Sequence, residues 1–193
     1  ERLDINVWEL IALANRHPRV NILQPGPGVG GHCIAVDPWF IVSETPELAR
    51  LIRAAREVNS GKPDWVVEKI KTAVGEFLQA NPDKRAGDVT IACFGLAFKP
   101  DIDDLRESPA LDIATRVAVE HPGALLAVEP NIRALPEALA GQGARLAQAG
   151  EALEQADIVV ALVAHRSFRR LDTAALATKR LVDACGLWSP ATS

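Results

Sequence analysis

Several features that would assign this chain to a special class of protein are missing from its 193 residues. It contains no methionine, even at position 1, which predicts that it is a portion of a longer protein. No run approaches the roughly 20 apolar residues of a membrane helix, and the start ERLDINVWEL lacks the basic and apolar regions of a signal peptide. There is no basic excess either, because 21 basic residues face 25 acidic ones and the net charge is −4. This balance argues against a general binder of nucleic-acid backbones, so any phosphate contact should be local.

Cysteine is scarce and widely spaced. The three cysteines, Cys33, Cys93 and Cys185, are odd in number and suit a reducing compartment better than a disulfide framework, so we expect a cytoplasmic protein. His32 and Cys33 are adjacent, and no second ligand pair such as CxxC or HxxxH accompanies them, so no metal site is predicted. The remaining composition, 48% hydrophobic and 24% charged, is typical of a globular domain.

The first eighty residues have the pattern of helices. Asp4 is suited to cap a helix that ends near His17, and proline-opened apolar patterns predict two more helices over residues 45–59 and 63–78. The polar stretch NPDKRAGD, residues 81–88, is typical of a linker.

After this linker, short apolar runs alternate with helical patterns. The runs predicted as strands are VTIACFG (89–95), ALLAVE (124–129), GARLA (143–147), DIVVALV (157–163) and RLVDA (180–184). Helical patterns occur between them over residues 108–120 and 132–140. Apolar runs joined in this way indicate a parallel sheet covered on both faces. We therefore predict an α/β chain, with a helical segment over residues 1–80 and a Rossmann-like domain over residues 81–193.

The glycine-rich stretch QPGPGVGGHCIAVDP, residues 24–38, is the first candidate site. Gly26, Gly28 and Gly31 satisfy GxGxxG, but a dinucleotide fingerprint needs a strand before it and a helix opening at the third glycine. Two prolines remove amide donors inside the stretch, and HCIAVDPW has no helical face and stops at its proline. We therefore reject the fingerprint and expect the glycines to bend the chain sharply or to admit a ligand close to the backbone.

Cys33 follows this bend, where exposed amides can stabilise a thiolate and a developing oxyanion. Asp37, four residues on, is placed to position a water or act as a general base on an intermediate bound to the cysteine. The alternative is structural: Cys33 is a small buried hydrophobe and Asp37 caps the turn before Pro38. Spacing alone leaves both interpretations open.

The second candidate site is FGLAFKPDIDDLRESPA, residues 94–110. Lys99 and Arg106 follow a predicted strand and precede a helix that starts near Ser108, at the carboxyl edge of the sheet where open α/β folds bind ligands. An anion such as a nucleotide diphosphate would suit this arrangement. The alternative is that both cations merely pair with the nearby aspartates on the surface.

Three further features lie in the predicted sheet domain. Cys93 lies inside an apolar strand and is expected in the core. Cys185 follows the last strand at the same sheet edge as Lys99, so it either lines a ligand cleft or is simply buried. The basic cluster HRSFRR, residues 165–170, is predicted to be a solvated loop.

Taken together, the motifs GxGxGGHCxxxDP, AREVN and FGLAFKPxxxDxRxSP resemble the UDP-glucose/GDP-mannose dehydrogenase family over nearly the whole chain. The resemblance implies the end of a central helical dimerisation domain followed by a domain that binds a UDP-sugar. It also implies oxidation of a sugar C6 alcohol to a carboxylate with NAD as cofactor, a nucleotide-sugar substrate and a homodimer formed through the central helices. Within this resemblance, the motif PGPGVGGHC implies an N-acetylhexosamine rather than glucose as the sugar.

The same resemblance assigns roles to individual residues. Cys33 would hold the aldehyde as a thiohemiacetal and then a thioester, and Asp37 would assist. Arg19 would reach the substrate of a neighbouring subunit. The residues expected at the substrate are Arg19, Gly26, Gly28, Gly30, Gly31, His32, Lys99 and Arg106.

Two departures from the family pattern stand out. Cys185 occupies the place where the family generally carries an arginine or lysine. The NAD-binding glycines and a catalytic lysine and asparagine are expected upstream of residue 1, so we expect the chain to be inactive alone. Two alternatives stay open: a non-catalytic nucleotide-sugar-binding or dimerisation module, and a portion of a dehydrogenase for UDP-glucose or GDP-mannose.

Overall fold

The computed structural model describes residue 3 and residues 5–188. The α-helices in this part of the chain are α1 (Val7–Ala14), α2 (Asp37–Glu44), α3 (Arg50–Ser60), α4 (Lys62–Ala80), α5 (Pro109–Glu120), α6 (Glu137–Ala140) and α7 (Ala149–Gln155). The strands are β1 (Ile91–Phe94), β2 (Leu125–Val128), β3 (Arg145–Leu146), β4 (Ile158–Ala161) and β5 (Arg180–Asp183). Short 3-10 helices lie at Ala86–Asp88, Phe168–Arg170 and Ala174–Thr178.

The five strands form one parallel sheet in the order β3-β2-β1-β4-β5. The register places Ile91 of β1 beside Leu125 of β2 on one side and Ile158 of β4 on the other. Helices connect the successive strands, as parallel pairing requires. The predicted α/β fold with a Rossmann-like parallel sheet is therefore confirmed.

Side chains of the central strand alternate between two cores, because successive residues of a strand point to opposite faces. Ile91 and Cys93 pack with apolar residues of α4 and α5 on one face. Ala92 and Phe94 pack with α7 and with Phe168 on the other face. Cys93 is fully buried, as expected for a core residue, and burial raises the pKa of its thiol to about 12.

Helix ends differ from the predicted ones where local capping decides. α1 is capped by Asn6, whose Oδ1 accepts from the Trp8 amide at 3.0 Å, while the predicted cap Asp4 lies outside the described residues. The expectation that HCIAVDPW contributes no helix is wrong. α2 begins at Asp37, because proline at the first helical positions is favourable rather than disruptive.

α4 joins the helical first part of the chain to the sheet. Its residues Val66, Val67 and Ile70 are buried in the core that α4 shares with the strands. The division of the chain near residue 81 stays a prediction, although the apolar face of α4 lies on the sheet. None of the helices in the described ranges is long and apolar enough to cross a bilayer.

Candidate functional site

A cavity of about 570 Å³ opens at the carboxyl edge of the sheet. One wall comes from α1 and from residues 24–28 of the glycine-rich stretch. The facing wall comes from the segments that leave the sheet after β1, β4 and β5, at residues 97–100, 162–164 and 185–186. The cavity therefore lies where parallel α/β sheets bind ligands, between two parts of the chain that are distant in sequence.

The glycine-rich stretch lies directly on the second motif. The Gly31 amide donates to the Arg106 carbonyl at 3.2 Å, and a Cβ at Gly31 would lie 3.0 Å from the Phe98 ring. A Cβ at Gly30 would collide with the Glu107 carbonyl oxygen. At these two positions the absent side chains therefore admit the chain's own second motif rather than a ligand.

The edge of the stretch nearest the cavity is held differently. Gly26 and Gly28 both line the cavity, and Gly28 also lies against Pro109. Between Gly28 and Gly30, the backbone of Val29 is fixed by Asn59 of α3, whose Oδ1 accepts from the Val29 amide at 2.7 Å and whose Nδ2 donates to the Val29 carbonyl at 3.2 Å. The AREVN segment thus holds the glycine-rich stretch through its asparagine.

The structure leaves the thiol of Cys33 exposed beside this docked loop, so the buried-hydrophobe alternative does not hold. Its sulfur lies 3.7 Å from Nδ1 of His32, and its carbonyl accepts from the Asp37 amide at 2.8 Å. Cys33 and Asp37 therefore share one turn at the start of α2, and both side chains face solvent. Neither residue lines the cavity, whose wall reaches only to Gly28 in this stretch.

Arg106 forms an ion pair with Asp104, as the surface alternative for this residue predicted. Its guanidinium donates to both carboxylate oxygens, at 2.6 to 3.1 Å, and these hydrogen bonds lower the pKa of Asp104 to about 2. The same hydrogen bonds raise the pKa of Arg106, and Cys33 adds a smaller electrostatic contribution. Arg106 does not line the cavity.

Lys99 has the opposite environment. It lines the cavity, and its Nζ lies 5.5 Å from the centroid of the Phe98 ring. Within the described ranges it forms no ion pair, so the surface-pairing alternative is wrong for this residue. Its charge remains available to a bound anion.

A buried pair, Glu129 and His165, fixes the segment that carries Lys99. Glu129 Oε2 accepts from the amides of Leu96 and Ala97 at 2.8 and 3.1 Å and from His165 Nε2 at 3.0 Å. Burial raises the pKa of Glu129, but these hydrogen bonds outweigh it and the net shift is downward. An ionised Glu129 therefore holds the backbone at the start of the cavity wall.

His165 links Glu129 to Asp101 through hydrogen bonds. Its Nδ1 accepts from the Asp101 amide at 2.9 Å, so the ring proton resides on Nε2 and points to Glu129. Asp101 in turn accepts from the Arg166 amide and side chain, which lowers its pKa. The prediction of a solvated loop over residues 165–170 is therefore wrong in part, since His165 and Phe168 are buried.

Two cations of the cavity wall were missed by sequence reasoning. Arg16, at the end of α1, and Arg169, after β4, both line the cavity, as does the carboxylate of Glu9. A signal for Arg169 existed, because its cluster follows a strand at the carboxyl edge of the sheet. Arg16 gave none, because the position of α1 depends on tertiary packing.

Cys185 also lines the cavity, so its two predicted environments occur together. Burial raises the pKa of its thiol, and the nearby Asp183 carboxylate adds to the increase. Asp183 accepts from the amides of Cys185, Leu187 and Trp188 at 2.8 to 3.2 Å, which shapes the turn after β5. Cys185 therefore presents a neutral thiol to the cavity.

The last predicted site residue, Arg19, lies on the surface in the turn after α1, away from the cavity wall. Its amide donates to Nδ1 of His17 at 3.3 Å. Among residue 3 and residues 5–188, no three His, Cys, Asp or Glu side chains are grouped so that they could hold a metal ion.

Comparison with known families matches most of the chain. The sequence model for the UDP-glucose/GDP-mannose dehydrogenase family, central domain, matches residues 1–61. The model for the UDP binding domain of the same family matches residues 92–190.

Curated relatives match over nearly the whole chain. It is 62% identical to a UDP-N-acetyl-D-mannosamine dehydrogenase of Salmonella typhi, over 95% of the chain and 43% of that relative. It is 56% identical to an NDP-N-acetyl-D-galactosaminuronic acid dehydrogenase of Ralstonia nicotianae, over 98% of the chain and 42% of that relative. The chain therefore spans less than half the length of these relatives.

Solved structures agree with the fold. The UDP-N-acetyl-mannosamine dehydrogenase of Staphylococcus aureus superposes with a TM-score of 0.75 at 34% identity, over 98% of this chain and 42% of that one. The UDP-D-ManNAc dehydrogenase of Pyrococcus horikoshii superposes with a TM-score of 0.77 at 29% identity, over 100% of this chain and 43% of that one.

Proposed function

The chain belongs to the UDP-glucose/GDP-mannose dehydrogenase family, and on that premise we propose that it is the carboxyl-terminal portion of an NAD-dependent UDP-N-acetyl-D-mannosamine 6-dehydrogenase. The observation that carries the proposal is the cavity at the carboxyl edge of the sheet. The glycine-rich stretch and the segment with Lys99 both contribute to its wall. A UDP diphosphate would bind the cationic wall, and the sugar would extend past Gly28 toward Cys33.

The proposed reaction would remove four electrons from a primary alcohol as two hydrides, and NAD⁺ bound outside this chain would supply the oxidising chemistry. On the aldehyde formed first, the Cys33 sulfur bonds to the carbonyl carbon and gives a thiohemiacetal. After the second oxidation, water adds to the resulting thioester, the C–S bond breaks, and the carboxylate and the thiol are released. Asp37, in the same turn, is proposed to orient or deprotonate that water.

Accessibility of the three cysteines supports this role for Cys33. It is exposed and lies beside His32, so a substrate carbonyl can reach its sulfur. Burial raises the pKa of both Cys93 and Cys185, so these thiols stay protonated. Of the three, Cys33 alone suits a nucleophile.

The described residues do not fit NAD itself. The glycine-rich stretch follows α1 rather than a strand, and its third glycine opens no helix, since α2 begins six residues later at Asp37. Its inner glycines are also packed against residues 98 and 107. We therefore propose that NAD binds a region of the longer protein outside this chain, and that the chain alone does not reduce NAD⁺. Formation of NADH by the purified chain with UDP-N-acetylmannosamine would refute this second point.

We propose a homodimer through the helical part of the chain. Leu51 and Val58 of α3 and Leu48 just before it are exposed by 83%, 77% and 77% on one face. An apolar stripe of this kind is typical of a surface covered by a partner. Sedimentation should give the mass of a dimer for the chain and of a monomer for Leu51→Glu, with Glu57→Gln of the same helix as the control. A monomeric parent chain would refute the proposal.

The three free cysteines fit the proposed cytoplasmic location, where thiols stay reduced. The substrate assignment is tested by calorimetric titration of the chain with UDP-N-acetylmannosamine, UDP-glucose, GDP-mannose and UDP. We expect the mannosamine sugar to bind most tightly. Lys99→Ala should weaken the UDP ligands about tenfold, as expected for loss of one charged hydrogen bond, whereas Lys71→Ala on the surface of α4 should not. Equal affinity for all four ligands would refute the choice of sugar.

A further inference from the structure

The charge of the cavity wall is strongly unbalanced. Arg16, Lys99 and Arg169 are its cations, and Glu9 is its carboxylate. In the described part of the chain, the ion pairs involve other residues, and none of these three cations takes part in one. Three cations without acidic partners around one cavity favour an anionic ligand.

Among these three cations, Arg169 lies in a turn that is anchored by a buried aromatic ring. It belongs to the 3-10 helix Phe168–Arg170, which follows β4 after six residues. Phe168 anchors this turn, because its buried ring packs edge-on against Phe94 at 5.3 Å and against His165 at 5.1 Å. The backbone of Arg169 is therefore fixed, and its side chain is exposed and lines the cavity.

Cys185 adds no charge to the side of the cavity where Arg169 lies. It faces the same cavity from the end of β5, close enough to Arg169 for the two groups to interact electrostatically. Because burial raises the pKa of Cys185, the thiol is neutral and does not neutralise Arg169. On this side of the cavity, the positive charge therefore comes from Arg169, in the segment after β4, and not from the segment after β5.

We propose that Arg169 is a ligand-binding residue that contacts the diphosphate of the nucleotide, together with Lys99. A guanidinium can donate two parallel hydrogen bonds to phosphate oxygens, which a lysine cannot. This inference rests on the proposed function for the identity of the nucleotide, but not for the anionic character of the site.

Arg170 provides a matched control, because it is the next residue of the same turn and does not line the cavity. The chain, Arg169→Ala, Arg169→Lys and Arg170→Ala are titrated calorimetrically with inorganic pyrophosphate, UDP and uridine. Urea unfolding of each variant checks that the fold is retained. We expect Arg169→Ala to weaken pyrophosphate and UDP about tenfold or more, Arg169→Lys to weaken them less, and Arg170→Ala to change neither.

The outcomes separate this inference from the proposed function. UDP binding that is unchanged in Arg169→Ala would overturn the inference and leave the proposed function standing. If pyrophosphate binding depends on Arg169 but UDP binds no more tightly than pyrophosphate, the inference stands and the uridine part of the proposed function fails. Equal losses in Arg169→Ala and Arg170→Ala, or no binding of either anion, would overturn the role of Arg169.

Discussion

Replacing Glu129 by alanine should remove much of the stability of the sheet domain. The carboxylate accepts five hydrogen bonds, and three of the donors, the amides of Leu96 and Ala97 and Nε2 of His165, belong to fully buried residues. Each buried donor left without an acceptor costs about 1–3 kcal/mol, and three such donors would be left here. We therefore expect Glu129→Ala to lower the free energy of unfolding by about 4 kcal/mol.

Urea denaturation followed by far-UV circular dichroism measures this loss. Glu129→Gln keeps the shape and one acceptor oxygen, so it should cost about half as much and provides a folded variant if the alanine variant does not fold. Glu154→Gln, on the exposed surface of α7, is the control and should change stability by less than about 0.5 kcal/mol. A loss below about 1 kcal/mol for Glu129→Ala would refute the role of this network.

The same carboxylate predicts a dependence on pH. The pKa of Glu129 in the folded protein lies below its ordinary value of 4.5. When the pH falls through that ordinary value, the unfolded state takes up the proton first, so this contribution to stability is present above pH 4.5 and is lost in more acidic solution. Glu129→Gln should lose stability less steeply with acid than the parent chain, and parallel pH profiles would contradict the assignment.

Three further predictions follow from the glycines and the thiols. Gly30→Ala should lower the free energy of unfolding by about 2 kcal/mol or more, because the added Cβ would collide with the Glu107 carbonyl. Gly26→Ala is the control and should cost under about 1 kcal/mol, because its Cβ would have no atom within 4 Å. Equal melting temperatures for the two variants would contradict the predicted collision. Gly75→Ala in α4 also meets nothing and should stabilise by about 0.5–1 kcal/mol in urea; a loss of stability would count against an unstrained helix there. Iodoacetamide at mildly alkaline pH should label Cys33 before Cys93 and Cys185, because only Cys33 of the three is exposed. Earlier labelling of Cys93 or Cys185, detected by mass spectrometry, would contradict this order of exposure.

The fold was accessible from the sequence because its determinants are local. Apolar runs such as DIVVALV and a helix start at Ser108 and Pro109 are set by hydrophobic pattern and capping, and both are confirmed. The start of α2 is hard to predict from the sequence, because proline can end a helix but also favours its first turn. The position of α1 over the sheet depends on long-range packing that no local pattern encodes.

The candidate site was accessible only in part for the same reason. The placement of Lys99 and Cys185 at one sheet edge followed from strand order, and the structure places both at one cavity. Arg169 was hidden in a cluster whose neighbours have quite different environments, since Arg166 pairs with Asp101. Consecutive arginines in a turn point in different directions, and only tertiary structure decides which of them faces the cavity.

The wall of the cavity is divided between two parts of the chain, so ligand binding and the seating of one wall on the other would be linked. Asn59 holds the Val29 backbone and does not line the cavity, yet it helps to seat one of the two walls. If that wall is seated for only a fraction of the time, the apparent affinity for any ligand falls by the same fraction. Conversely, a ligand at about 100 times its dissociation constant would add roughly 2.7 kcal/mol toward the seated state. A ligand that contacts both walls would therefore also hold the glycine-rich stretch against the sheet domain.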